Sequence, residues 1–285
     1  MIAILGAILF SAKAVVAKLI YRYQVDAVTL IAFRMIFSVP FFAAVALWKA
    51  RTEAPLLGGD RVRIVVLGLI GYYLSSFLDF IGLQYISAGL ERLILFLTPS
   101  FVLLGSALFL KKKITALEWA ALGLAYAGTV LVFLHDVRIG GKGVVIGSGF
   151  VLASAITYAI YLLQSGELVR RVGAVRLTAY AMCVSSAACI IQFFLLRPPA
   201  LLLQPMPVYS LSLVNAVFCT VLPVFLTMIA VARIGAPTAS QAGMIGPVST
   251  LFLGAAVLAE PITGLQLAGT ALVLGGIYLL SKKKT

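Results

Sequence analysis

Apolar residues run through this chain in long stretches separated by short polar or basic punctuation, and within the stretches they do not alternate with polar ones. Ten stretches approach membrane-crossing length, at 2–21, 27–48, 62–83, 87–110, 117–135, 144–165, 177–196, 209–232, 237–258 and 263–281. A bilayer core takes about 20 residues of helix to cross. Barrel strands are shorter and alternate apolar with polar positions, whereas a run such as 93–110 is apolar on all sides. Backbone groups in lipid must be satisfied within the segment itself. The pattern therefore predicts an all-α integral membrane protein of ten transmembrane helices. The first stretch opens at Met1 with neither a basic leader nor a small-residue cleavage site, so it is expected to be retained as a helix.

Composition sharpens the picture. With 62% hydrophobic and 11% charged residues, and a mean hydropathy of +1.13, an ordinary soluble domain is excluded, because such domains carry about 25% charge. A net charge of +13 suggests nucleic acid at first, but its distribution points elsewhere. Loops numbered from an inside N-terminus place 14 Lys and Arg residues on that side and only Arg22, Arg138, Lys142 and Arg197 on the other. Such a bias fixes orientation. Both termini are expected to be cytoplasmic, in the inner membrane of a prokaryotic cell, with the lipid bilayer as partner and no nucleic acid. Monomer and homodimer are equally compatible. Cys183, Cys189 and Cys219 fall within apolar stretches and signal neither disulfide nor metal.

An internal repeat organises the chain. Pro99 and Pro247, Thr115 and Thr263, and Gly128 and Gly276 all stand 148 residues apart, as do Ile86/Ile234, Ile114/Ile262 and several Ala and Leu pairs. The expected units are 1–136 and 144–281, with five helices each. Five is odd, so the second unit enters the membrane from the opposite side, and the repeat is inverted. Inverted repeats that rock about a midplane site are a plan of secondary transporters.

The segment Ile86-Ser-Ala-Gly-Leu-Glu-Arg-Leu-Ile-Leu-Phe-Leu-Thr-Pro99, the element Leu110-Lys-Lys-Lys-Ile-Thr115, and their echo from Gly246-Pro247 through Leu258-Ala-Glu-Pro-Ile-Thr263 to Gly276 resemble the EamA type of the drug/metabolite transporter superfamily. Arg34, in Phe33-Arg34-Met35, is similar to that family's second helix. The resemblance implies two five-helix units, with the first four helices of each around a central cavity and the fifth and tenth more peripheral. One departure is visible: the acidic position before the Ile-Thr element is Glu260 in the second half and Lys112 in the first.

Charge inside the stretches is sparse and concentrated in the first half: Lys13, Arg34, Asp79, Glu91 and Arg92. Each costs about 2.5–3.5 kcal/mol near a helix centre on insertion scales. At about 1.5 Å per residue, Arg34, Asp79, Glu91 and Arg92 fall in one layer, with Lys13 somewhat deeper. Opposite charges at one depth either form a fixed ion-pair brace or hold an anionic group or a proton. The second half offers neutral polar faces instead. Ser154, Tyr158, Tyr161 and Ser165 share a helical face, as do Tyr72, Ser76 and Asp79 in the first half. Gln241, Gly243, Gly246 and Pro247 mark the ninth stretch as bent or closely packed, with Pro99 in the fourth and Pro40 and Pro223 in the second and eighth. Hydroxyls and small residues also join membrane helices without any ligand.

Enzymatic motifs are missing from the sequence. The lone His135 makes no metal site, and Gly140-Gly-Lys-Gly143 lacks the spacing of a phosphate loop and reads as a turn. No cofactor is expected. The reading is a secondary active exporter of small metabolites such as amino acids, with Asp79 or Glu91 coupling protons and Lys13 and Arg34 tuning them. An antiporter of phosphorylated or nucleotide-linked sugars and a non-transporting membrane scaffold remain the alternatives.

Overall fold

The computed structural model describes residues 1–111, 113–234 and 245–282. Among these, every regular element is a helix. In chain order they are α1 (Ile2–Tyr21), α2 (Ala27–Thr52), α3 (Gly58–Leu83), α4 (Ala88–Leu95), α5 (Thr98–Leu110), α6 (Ala116–Val172), α7 (Ala174–Leu196), α8 (Met206–Ala216), α9 (Leu222–Ile234), α10 (Ile245–Leu253) and α11 (Gly264–Lys282). Seven helical segments are long and apolar enough to cross a membrane, and two more, Ile245–Leu258 and Gly264–Leu279, are shorter but apolar.

This tally differs from the predicted ten for a local reason. The fifth and sixth predicted spans both lie in α6, whose 57 residues would reach about 86 Å at about 1.5 Å per residue, far beyond a hydrocarbon core of about 30 Å. The run bends at Gly141, whose φ of 59° and ψ of −140° are not helical. Only glycine enters that region readily, so Gly141 supplies the break between two helices.

Helix ends follow the sequence signals closely. Thr115 caps α6 in a reciprocal box with Glu118, and Thr263 and Gln266 form the same box at the start of α11. The two Ile-Thr elements are therefore the same helix start, 148 residues apart. Just before them, Lys111 and Ala259 both adopt a left-handed backbone, at φ 52° and 58°. Inside the membrane the helices are less regular than the apolar pattern suggests. A π-turn interrupts α3 at Leu69–Leu74, and a second joins α8 to α9 at Val217–Val221. These also stand 148 residues apart. Pro40 does not interrupt α2, which continues through it with the exposed ring facing outward.

Most packing crosses between the halves. α1 lies along α8, α9 and α10, α2 along α7, and α11 along the first part of α6. The last of these contacts is glycine-mediated. A Cβ on Gly128 would sit 2.5 Å from the Gly269 carbonyl, and one on Gly276 would sit 2.5 Å from the Ala121 carbonyl. These contacts are reciprocal under the repeat, since Gly269 corresponds to Ala121 and Gly276 to Gly128. Gly128→Ala or Gly276→Ala should each destabilise the protein by about 1–3 kcal/mol through overpacking. Gly123→Ala, where nothing lies within 4 Å of the added atom, should stabilise by about 0.5–1 kcal/mol. Thermal melting of the detergent-solubilised variants checks the contrast in sign.

Candidate functional site

Between the halves lies a cavity of about 500 Å³, within the range of small-molecule sites. α1 contributes Phe10 and Lys13, α2 Arg34, α3 Tyr72, Ser76 and Asp79, and the α4–α5 segment Arg92, Phe96 and Pro99. The second half contributes Ser154, Tyr158, Met182, Thr220, Pro223, Thr227 and Gly246. Ile277 also reaches the wall, so the last helix is not wholly peripheral. Apolar side chains dominate, and the charged ones gather at one end. The cavity then continues past Phe10 to Gly6 and Ala7, towards the face where α1 begins.

Of the five charged residues, Lys13, Asp79 and Glu91 meet directly. Lys13 Nζ stands 2.5 Å from Asp79 Oδ2 and 3.1 Å from Glu91 Oε1, so one ammonium serves carboxylates from α3 and α4. Glu91 is fully buried behind this pair and does not line the cavity. Arg34, expected to act on these acids by proximity, takes its direct contacts elsewhere. Its Nε donates to Thr220 Oγ1 at 2.8 Å, and its guanidinium lies 5.1 Å from the centre of the Phe80 ring. Arg92 repeats the arrangement, with Nε donating to Thr250 Oγ1 at 3.1 Å and the guanidinium 5.0 Å from the Phe10 ring. Both threonines belong to the opposite half. Stacking over an aromatic face offsets part of the cost of a buried cation. Neither arginine has a carboxylate within ion-pair distance among the described residues.

Tyr72, Tyr158 and Tyr161 form one aromatic cluster, with ring centres 5.0 to 6.3 Å apart. Tyr72 and Tyr158 face the cavity, while Tyr161 stacks behind them and donates its hydroxyl to Tyr72 at 3.3 Å. Ser154 exchanges hydrogen bonds with Ser75 and ties α6 to α3. Ser165 bonds back to Leu162 of its own helix and takes no part in the wall. The π-turns place Tyr72 and Thr220 at equivalent positions on opposite sides of the cavity. Thr220 is freed for this by the widened turn, where its hydroxyl donates to the Asn215 carbonyl.

The remaining predicted residues divide by position. Pro99 lies where α4 gives way to α5 after the break at Phe96–Leu97, and Gly246 and Pro247 are buried in α10, Gly246 against Phe96. Gln241 and Gly243 lie outside the described residues. Thr220, Thr250, Phe10 and Phe80 were missed by the sequence reading. Of these only Thr220 carried a usable signal, the 148-residue offset from Tyr72.

The opposite face, where α1 ends, is laced by polar contacts. Glu260 Oε1 accepts from the Ala88 amide at 3.3 Å, Ser87 donates to Asp136 Oδ2 at 3.0 Å, and Arg22 donates to the Leu258 carbonyl at 3.1 Å. Tyr21 donates to the Phe80 carbonyl at 2.6 Å. Two acidic side chains thus hold the N-terminus of α4, where the helix dipole favours negative charge. His135 stands beside Asp136 at this face.

The EamA-like transporter family model matches residues 1–134 and 145–282. The uncharacterized transporter YcbK of Bacillus subtilis (strain 168) is 31% identical over 289 residues, covering 97% of this chain and 89% of its own. An uncharacterized transporter of Archaeoglobus fulgidus is 27% identical over 79% of each chain. Human solute carrier family 35 member E4 is 28% identical over 79% of this chain and 64% of its own. A protein of known crystal structure shares the fold with a TM-score of 0.69 at 19% identity, over 99% of this chain and 97% of that one. A cavity lined by both halves, in a chain matched along almost its whole length, thus has a plain attribution: the protein belongs to the EamA-like transporter family of the drug/metabolite transporter superfamily and is an integral-membrane transporter.

Proposed function

We propose that this transporter is a secondary active exporter that moves a small metabolite, such as an amino acid, by alternating access. It would do so with two inverted five-helix repeats, 1–136 and 144–281. The observation that carries the reading is the charged cavity between the halves, floored by Lys13, Asp79, Arg34 and Arg92. Ionised side chains at membrane depth are costly and mark a pathway by default.

Three features support the inverted arrangement. The family model covers the halves separately. α6 breaks at Gly141, and counting its two parts as separate crossings fits ten spans. Finally, the glycine contacts between α6 and α11 obey an exchange rule: Gly128 meets Gly269, and Ala121 meets Gly276. Under the repeat, position 128 meets 121 and 121 meets 128. That reciprocity is the signature of a two-fold relation. Because position numbers rise along one helix as they fall along the other, the axis runs across the helices and not along them. For helices that cross a bilayer, such an axis lies in the membrane plane. The excess of basic loops on one side supports cytoplasmic termini, and the bacterial relatives support an inner-membrane location.

Proton coupling rests on Lys13. With both acids ionised, the Lys13–Asp79–Glu91 group carries one net negative charge in a low-dielectric setting, and one added proton neutralises it. In proteoliposomes holding the substrate, Asp79→Asn and Glu91→Gln should each abolish the acceleration of flux by an imposed pH gradient while exchange at equal pH survives. Unchanged gradient-driven flux in both variants would remove the acids from the coupling. The same ion pairs brace the fold. Lys13→Met should therefore destabilise the protein by about 3–5 kcal/mol, because it leaves buried carboxylates without a counter-ion. Adding Asp79→Asn should recover part of that loss in thermal melts.

A further inference from the structure

The five buried charges are not distributed evenly among their partners. Lys13 takes both acids, leaving the guanidiniums of Arg34 and Arg92 with neutral partners only: one threonine hydroxyl and one aromatic face each. A guanidinium has five N–H donors. Each of these uses its Nε, and no Nη hydrogen bond forms among the described residues. Arg34 Nη1 is buried without a partner in a side chain that is itself 5% exposed. The threonine and ring contacts hold each guanidinium, and both arginines line the cavity. Lys13 bridges the two sites, its ammonium 5.4 Å from the Phe10 ring and 5.5 Å from Phe80, the rings that carry Arg92 and Arg34. With three cations against two ionised acids, the site carries one surplus positive charge. Next to it the wall turns aromatic, with Tyr72 and Tyr158.

From this we infer that the transported molecule is an organic anion. Its carboxylate or phosphate is gripped by Arg34 and Arg92, and its apolar or aromatic body lies against Tyr72 and Tyr158. Forked guanidinium donors pair two at a time with the oxygens of carboxylates and phosphates. Such an anion offsets the surplus charge, whereas an uncharged amide or a simple amine offers the arginines no anionic oxygen. The inference deepens the transport reading and rests on it.

The experiment compares probes that share one body and differ in charge. Phenylacetate, phenyl phosphate, phenylalanine, phenylacetamide and phenethylamine are tested by thermal shift on the purified full-length protein, and then as substrates in proteoliposomes. Ligands that bind the native state raise its melting point. Phenylacetate or phenyl phosphate should stabilise the protein, and the stronger of the two tells whether the head group is a carboxylate or a phosphate. Phenylacetamide should do nothing. Arg34→Gln and Arg92→Gln should weaken anion binding about tenfold or more, the loss of a charge-assisted hydrogen bond. Arg34→Lys and Arg92→Lys, which keep the charge, should retain part of it and guard against a folding defect. Stabilisation and flux with phenylalanine, phenylacetamide or phenethylamine but not with the anions would overturn the inference and leave the transport reading intact. If no probe binds or crosses, the inference falls, while the transporter attribution stands on the family match.

Discussion

Lys13 sets the terms for the rest of the molecule. Its ammonium joins α1 to α3 through Asp79 and to α4 through Glu91, and all three side chains are almost fully buried. Taking ions out of water costs several kcal/mol each, and close pairing recovers it only when the geometry is tight. One lysine shared by two acids leaves none over for the arginines. Arg34 and Arg92 must then find neutral support, and they find it across the interface, on Thr220 and Thr250. The same allocation of charge that braces the first half therefore fastens it to the second and leaves two guanidiniums at the cavity wall.

The backbone around this site is repeated even where the side chains are not. Left-handed caps at Lys111 and Ala259, capping boxes at Thr115 and Thr263, and π-turns at Leu69–Leu74 and Val217–Val221 all recur at one offset. On this common frame the first half carries the ionised groups and the second the hydroxyls that orient them. Tyr72 and Thr220 occupy matching turns, but one belongs to an aromatic wall and the other supports an arginine. Glu260 holds the start of α4, whereas the matching position in the first half is Lys112, which cannot accept a hydrogen bond from an amide.

Much of this was legible in the sequence, and the limits follow from what a sequence encodes. Helix existence follows from apolar length, and helix starts from the Ile-Thr elements, because both depend on residues close together in the chain. Partner choice does not. Which acid meets which base depends on how each helix is rotated, and Arg34 finds Thr220 186 residues away. The π-turns leave no mark in composition, since Leu69-Ile-Gly-Tyr-Tyr-Leu74 reads as ordinary helix. Pro40 shows the reverse failure: a strong breaker signal is carried inside a continuous helix.

The central claim is that one cavity serves both faces of the membrane in turn. Ser76 lines that cavity, and in a variant without Cys183, Cys189 and Cys219, Ser76→Cys can be challenged with a membrane-impermeant maleimide from each side of sealed vesicles. The account predicts that label arrives from either face, and that occupancy of the cavity by substrate slows labelling from both. Label arriving from one face only, with and without substrate, would contradict it.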